Sequence, residues 1–197
     1  MRIREDLELI SSWVKKNSRV LDLGCGDGNL LKILKEQKNV TGYGVDNDIS
    51  QIKSSLGNTI NVLQMDLDDG LNDFKDDTFD YVILAQSLQE IKNPEKLLKE
   101  MLRIGKEVII SFPNMGHWSS RVQLFFEGKM PVTSELPYTW HDTPNIHLCT
   151  ICDFESFCKE NNFIISDSSI ASRSVLDNIM IKVLPNLFGQ VALFRIQ

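Results

Sequence analysis

A surplus of cationic side chains is missing from this 197-residue sequence, in which 21 lysines and arginines stand against 27 aspartates and glutamates for a formal net charge of −6. Duplex nucleic acid asks for a basic stripe, so no nucleic-acid partner is expected. Long apolar runs are missing as well. No stretch approaches the roughly 20 residues needed to cross a bilayer, and the opening Met-Arg-Ile-Arg-Glu-Asp lacks the apolar core of a secretory signal. No membrane association is expected, and a cytoplasmic location is. Cysteine is scarce, with Cys25 in a glycine turn and Cys149, Cys152 and Cys158 around one predicted helix. Cys149-Thr-Ile-Cys152 reads C-x-x-C, yet no second cysteine pair or closely spaced histidine pair completes a zinc site. The cysteines are therefore assigned to core packing and no metal is expected. Repeats, low-complexity tracts and linkers are absent, so residues 1–197 are read as one domain. The hydrophobic fraction of 42% and charged fraction of 24% are those of an ordinary globular protein.

What is there centres on Arg19 to Leu31. Val20, Leu21 and Leu23 form a short apolar run that ends in Gly24, Gly26 and Gly28, after which Leu30, Leu31 and Leu34 recur at helical spacing. This pattern predicts a buried strand, a glycine turn and a helix, the first βα turn of a doubly wound sheet. Phosphate-binding turns gain from positive charge, whereas this one carries Asp22 and Asp27, with Asp46 expected nearby. The spacing is G-x-G-x-G, and Asn29 stands where a dinucleotide fingerprint has its third glycine. A ligand with a cationic head and no phosphate fits better. The acidic residue before G-x-G-x-G resembles motif I of the class I S-adenosylmethionine methyltransferases, and Asp22, Gly24, Cys25 and Gly26 become candidate cofactor-binding residues.

In chain order, Ile3, Leu7, Ile10 and Val14 predict an amphipathic helix over the sheet or the cofactor mouth. Val40 to Val45 predicts a second strand ending at Asp46-Asn47-Asp48. A carboxylate at that tip, about 20 residues past the glycines, is where nucleoside-binding folds hold ribose hydroxyls, so Asp46 is the candidate ribose ligand with Asn47 beside it. Asp48, followed by Gln51, also resembles a helix cap. Ile60 to Met65 predicts a third strand before Asp66-Leu67. The methyltransferase resemblance implies that Asp66 accepts from an adenine amino group and that Leu67 packs on the ring. The alternative is that Asp66 only begins a solvated acidic loop running to Asp80. Phe79 to Ala85 reads as a central strand buried on both faces, and the Ala85-Gln86 junction after it is the expected rim of the methyl-donor site. The Asn/Asp-Pro-Pro-aromatic motif of many amine-directed methyltransferases is missing there. Asn93-Pro94 opens a helix closed by Gly105, and Glu107 to Phe112 is a fifth strand. Periodicity then fades over Met115 to Leu148, which holds all three histidines, Trp118, Tyr138 and Trp140. An irregular segment at about 114–149 is expected to be a lid or partner surface, or else a rigid loop with its own small core. Thr150 and Asp153 predict a helix cap, Phe163 to Ser166 a strand, Val175, Ile179 and Val183 a short helix, and Val191 to Ile196 a last strand.

The resemblance is closer than motif I. Val20-Leu-Asp-Leu-Gly-Cys-Gly-Asp-Gly, Val40-Thr-Gly-Tyr-Gly, Phe112-Pro-Asn-Met-Gly-His-Trp, Met130-Pro-Val, Leu136-Pro-Tyr-Thr-Trp and Thr143-Pro-Asn-Ile-His are similar to the MetW family of methionine biosynthesis proteins. That resemblance covers nearly the whole chain. It implies an α/β, doubly wound, seven-stranded and mostly parallel sheet of the Rossmann-like class I methyltransferase type, ending in a hairpin, with an insertion after strand 5. It also implies S-adenosylmethionine or S-adenosylhomocysteine as ligand and homoserine O-acetyltransferase as partner. Two readings stay open: methyl transfer to an unidentified acceptor, or a non-catalytic cofactor-binding partner that regulates the acetyltransferase. Glu90, His117 and His141 are the candidate general bases, and His117, Trp118, Tyr138, Trp140 and His141 the candidate substrate or partner contacts. A nicotinamide oxidoreductase ranks below both, for the charge reason above.

Overall fold

The computed structural model describes residues 5–58, 60–172 and 174–197. Seven strands lie in one sheet in the order β3-β2-β1-β4-β5-β7-β6: β1 (Arg19–Leu23), β2 (Thr41–Asp46), β3 (Asn61–Gln64), β4 (Phe79–Ala85), β5 (Gly105–Pro113), β6 (Ile165–Ala171) and β7 (Val191–Ile196). The first five run parallel to one another, and β7 inserts antiparallel between β5 and β6. The chain winds one way from β1 to β3 and the other way from β4 to β5, so the carboxyl ends of β1 and β4 flank the switch point where such sheets leave a crevice.

Strand β4 is buried on both faces. Val82 and Leu84 join one apolar cluster and Tyr81 and Ile83 the other. On the first side lie α4 (Pro94–Ile104) and α6 (Ile151–Glu160), on the second α1 (Glu5–Trp13) and α2 (Asn29–Lys38). In α4 the 3.6-residue period buries Leu97, Leu98, Met101 and Ile104, each worth about 1.5–3 kcal/mol. Asn93 accepts the Lys96 N–H and Pro94 fills the first turn. Thr150 and Asp153 form a reciprocal capping box on α6, as expected. Leu7 and Ile10 in α1 and Val14 just past its end are buried as the period predicts, while Ile3 lies outside the described residues. Asp48 caps α3 (Ile49–Gly57) by accepting the Ser50 N–H at 2.7 Å. Part of the acidic run is paired rather than merely solvated: Asp68 with Lys92, Asp76 with Arg103 and Asp80 with Lys106.

Three sequence expectations need correction. The 114–149 segment is not irregular throughout, because Trp118–Glu127 forms the ten-residue helix α5, N-capped by His117. Its Val122, Leu124, Phe125 and Phe126 remain exposed, so no polar-apolar period marks it. Strand β6 extends to Ala171; Ser166, Asp167, Ser168 and Ser169 hid it because an edge strand tolerates polar residues on its open face. After it, the short helix predicted over Val175, Ile179 and Val183 is α7 (Val175–Met180), which ends before Val183, and Pro185 opens a further short helix, α8 (Pro185–Phe188).

Candidate functional site

The turn between β1 and α2 holds Gly24, Gly26 and Gly28 at φ +66°, +54° and +76°. These left-handed angles strain any residue with a β-carbon. At Gly24 space is a second reason, since an added Cβ would stand 2.5 Å from Ser87 Oγ. The turn spends its own donors internally. The Gly24 and Cys25 N–H groups go to the Val45 carbonyl, Gly28 to Cys25, Gly26 to Asp46 Oδ2 at 2.8 Å, and Asn29 to Asp27. A phosphate cradle needs such groups bare, so this loop is built for something else.

Beside it opens a cleft of about 160 Å³, lined by Gly24, Asp46, Asn47, Met65, Asp66, Leu67, Asp68, Ser87, Glu90 and Ile91. Four carboxylates line it, and among the described residues no lysine, arginine or histidine does. Asp46 sits at the tip of β2 with Oδ2 on the Gly26 N–H and Oδ1 on the Asp48 N–H at 2.9 Å. A carboxylate offers about four lone-pair sites, so both oxygens can still accept from hydroxyls. Asp66 caps a single turn at Leu67–Asp69 by accepting the Asp68 N–H at 3.0 Å, which presents Leu67 to the cleft. Burial, with Asp46 adding its charge, pushes the Glu90 carboxyl above the usual carboxylate range.

Of the residues singled out from sequence, Gly24, Asp46, Asn47, Asp66, Leu67 and Glu90 meet in this cleft. Gly26 serves it through Asp46. Asp22 is 2% exposed at the end of β1. Cys25 is tucked under β2, where a Cβ on Gly44 would lie 2.5 Å from its sulfur; burial, then Asp22 and Asp46, push its thiol up to about 12, which favours the protonated thiol near neutral pH. Ala85 ends β4 and Gln86 follows it, both outside the cleft lining. Gln86 takes φ +59° and its Nε2 donates to Asp6 Oδ2 at 3.0 Å, an oxygen that also accepts from Ser111 Oγ at 3.3 Å. Met65, Asp68, Ser87 and Ile91 were missed; their only sequence signal is adjacency to the strand ends.

The candidate bases do not converge. His117 is buried in a different cavity, where Nδ1 accepts from the Ser119 hydroxyl and backbone N–H, leaving Nε2 to carry its proton toward Asp177 Oδ2 at 3.4 Å. Burial lowers its pKa despite the aspartate. Trp118 Nε1 and Ser172 Oγ donate to the same Asp177 carboxylate. His141 lies on the surface against Thr139 Oγ1 and Trp140, and Tyr138 and Trp140 are 49% and 75% exposed. Among the described residues no group of three or more His, Cys, Asp or Glu is placed to hold a metal, and no helix is long and apolar enough to cross a membrane. Burial pushes the Cys149 thiol up to about 12, and all four cysteines are free.

Comparison with known proteins adds four findings. The model of the family described as methionine biosynthesis protein MetW matches residues 4–196. A bifunctional methionine biosynthesis protein MetXA/MetW from Rhodopirellula baltica is 36% identical over 171 residues, which cover 82% of this chain and 27% of that relative; the chain thus spans about a quarter of its length. Among solved structures, an S-adenosylmethionine-dependent methyltransferase from Archaeoglobus fulgidus superposes with a TM-score of 0.67 at 20% identity, covering 96% of this chain and 93% of that one. A Haemonchus contortus phosphoethanolamine N-methyltransferase solved with S-adenosyl-L-methionine gives 0.65 at 16% identity, covering 97% and 51%. The last two show a shared fold.

Proposed function

The chain belongs to the MetW family of methionine biosynthesis proteins, and from that premise we propose that its carboxylate-lined cleft binds S-adenosylmethionine and that the protein transfers the methyl group to an acceptor in methionine biosynthesis. The observation that carries the reading is a turn whose glycine N–H groups are spent internally beside four carboxylates, with no cation among the described lining residues. Such a site disfavours a pyrophosphate and favours a ligand with an ammonium and a sulfonium. The residues present fit the group. Asp46 would take the ribose hydroxyls and Asp66 the adenine amino group with Leu67 against the ring, beside the main chain at Gly24, which also lines the cleft. When bound, the cofactor supplies an electrophilic methyl. The protein's part is to align donor and acceptor and keep both from drifting. For an acceptor that carries a proton, Glu90 is the base we assign, because it lines the cleft and its raised pKa brings it toward the working range.

A second reading has its own support: the protein acts on homoserine O-acetyltransferase as a cofactor-dependent regulator. A relative combines MetXA and MetW in one chain, and Phe125, Phe126 and Trp140 are 81%, 77% and 75% exposed, an apolar display typical of contact surfaces. Incubation with methyl-labelled cofactor, cell extract and purified acetyltransferase separates the two. Label in any acceptor supports transfer; a changed acetyltransferase rate without label supports regulation. Failure to bind S-adenosylmethionine or S-adenosylhomocysteine by calorimetry defeats both.

A further inference from the structure

The contacts that keep His117 out of the carboxylate cleft form a chemical unit of their own. The Ser119 hydroxyl lies 2.7 Å from His117 Nδ1, and His117 Nε2 lies 3.4 Å from Asp177 Oδ2. The Ser119 backbone N–H also points at Nδ1, at 3.3 Å. A backbone amide can only donate, so Nδ1 is an acceptor and draws the hydroxyl proton as well, while Nε2 carries the ring proton toward the carboxylate. Hydroxyl, imidazole and carboxylate in that order are what makes a serine nucleophilic, here with the two ring nitrogens exchanged relative to the usual arrangement. Capping α5 uses only Nδ1; a buried aspartate on the far nitrogen is more than a cap requires. That aspartate comes from α7 and is itself fixed, with Trp118 Nε1 donating to Oδ1 at 3.3 Å and Ser172 Oγ to Oδ2 at 3.1 Å. Burial holds the imidazole below its ordinary pKa, so at neutral pH the ring is able to take a proton.

The hydroxyl end of the unit is open. Ser119 is half-buried and lines a cavity of about 250 Å³ between the start of α5 and residues 133–136, with Pro113 and Leu136 as apolar wall. Pockets for drug-sized ligands run to about 300–1,000 Å³, so this one suits a small acyl group. It shares no lining residue with the carboxylate cleft. Ser120 lines it too, and its N–H stands in the first turn of α5, ahead of the Arg121 N–H that the His117 carbonyl accepts at 3.2 Å. N–H groups of a first turn precede the intrahelical ladder and suit an oxygen on which negative charge develops.

We propose that Ser119, His117 and Asp177 form a catalytic centre separate from the cofactor cleft, in which Ser119 Oγ takes the acyl group of a small activated ester. The centre does not depend on the cofactor reading. Ser119 Oγ adds to the ester carbonyl as its proton passes to His117 Nδ1; the bond to the leaving oxygen then breaks, and His117 returns the proton to that oxygen. Water adds to the acyl-serine in the same way, giving its proton to His117, and the acid departs as Ser119 recovers its hydrogen. The test treats the full-length chain with diisopropyl fluorophosphate, whose fluoride a nucleophilic serine displaces, and maps the adduct by peptide mass spectrometry; nitrophenolate release from p-nitrophenyl acetate gives the rate. The adduct is expected on Ser119 in the folded chain and not in urea. Ser119→Ala and His117→Gln each slow nitrophenolate release at least about 100-fold. Asp177 acts through His117 and is a positioning residue, so Asp177→Asn lowers the rate at saturating ester about tenfold or more and leaves KM within about twofold, a split that loosened packing alone does not produce. No adduct on Ser119, an adduct that forms equally in urea, wild-type release from Ser119→Ala, or a full maximal rate in Asp177→Asn overturns the proposal. Labelling of the wild-type chain tests it even where a variant fails to fold.

Discussion

Replacing Asp46 by alanine tests the cleft at its most connected residue. In the folded protein its two oxygens hold the Gly26 and Asp48 N–H groups at 2.8 and 2.9 Å, tying the glycine turn to the end of β2. Asp46 is only half-buried, so water replaces part of each lost contact, and the pair is worth about 1–3 kcal/mol in total. For a chain of this size that lowers the melting temperature by about 2–12 °C. Loss of the proposed ribose contacts should add its own cost of about 1–3 kcal/mol in S-adenosylhomocysteine affinity, about 5- to 150-fold. Asp46→Asn keeps one acceptor oxygen and can hold only one of the two N–H groups. Its stability therefore falls between wild type and alanine, while its affinity loss approaches the alanine value. Calorimetric titration well below the melting point, alongside a thermal melt by circular dichroism, reads the two effects separately. Affinity within about twofold of wild type in Asp46→Ala would refute the assignment of Asp46 to the ribose, and an unchanged melting temperature would refute its role in tying the turn.

Gly24→Ala places a methyl at φ +66°, 2.5 Å from Ser87 Oγ and 3.0 Å from Ser87 Cβ; denaturant melts should show a loss of about 1–3 kcal/mol, with cofactor binding abolished. Adding Ser87→Gly should recover part of the stability, since it removes the overlap and leaves the backbone strain. Because burial lowers the His117 pKa in the folded state, unfolded chains bind more protons below its ordinary value of 6.5. His117 therefore withdraws stability as the pH falls through 6.5, and His117→Gln should flatten that part of the wild-type profile in urea melts between about pH 7.5 and 5.5. A steeper decline in the variant would contradict the sign. Trp140→Ala, at a residue 75% exposed, should change stability by under about 0.5 kcal/mol and leave S-adenosylhomocysteine affinity intact, and under the proposed regulatory reading it should weaken binding to homoserine O-acetyltransferase by about 2 kcal/mol or more. Pull-down titration against the purified enzyme checks it; wild-type binding there takes Trp140 out of the interface.

What could be read from the chain alone was whatever physics acts over a few neighbouring residues. The strand-turn-helix at Val20 to Leu34, the two-sided burial of β4, the caps at Asp48, Asn93 and Thr150, and the carboxylates at the tips of β2 and β3 all follow from local periodicity, glycine conformation and short-range hydrogen bonds. Only the folded structure could show contacts between distant segments. Sheet order brings Ser87, Glu90 and Asp68 to the same opening as Asp46, and the turn of α1 carries Asp6 to Gln86 and Ser111 across 80 and 105 residues. His117, read as a possible base because of its chemistry, is instead locked between Ser119 and an aspartate 60 residues later. Helix α5 escaped notice because its large apolar residues face outward, and hydrophobic periodicity reveals a helix only when one side of it is buried against the rest of the molecule.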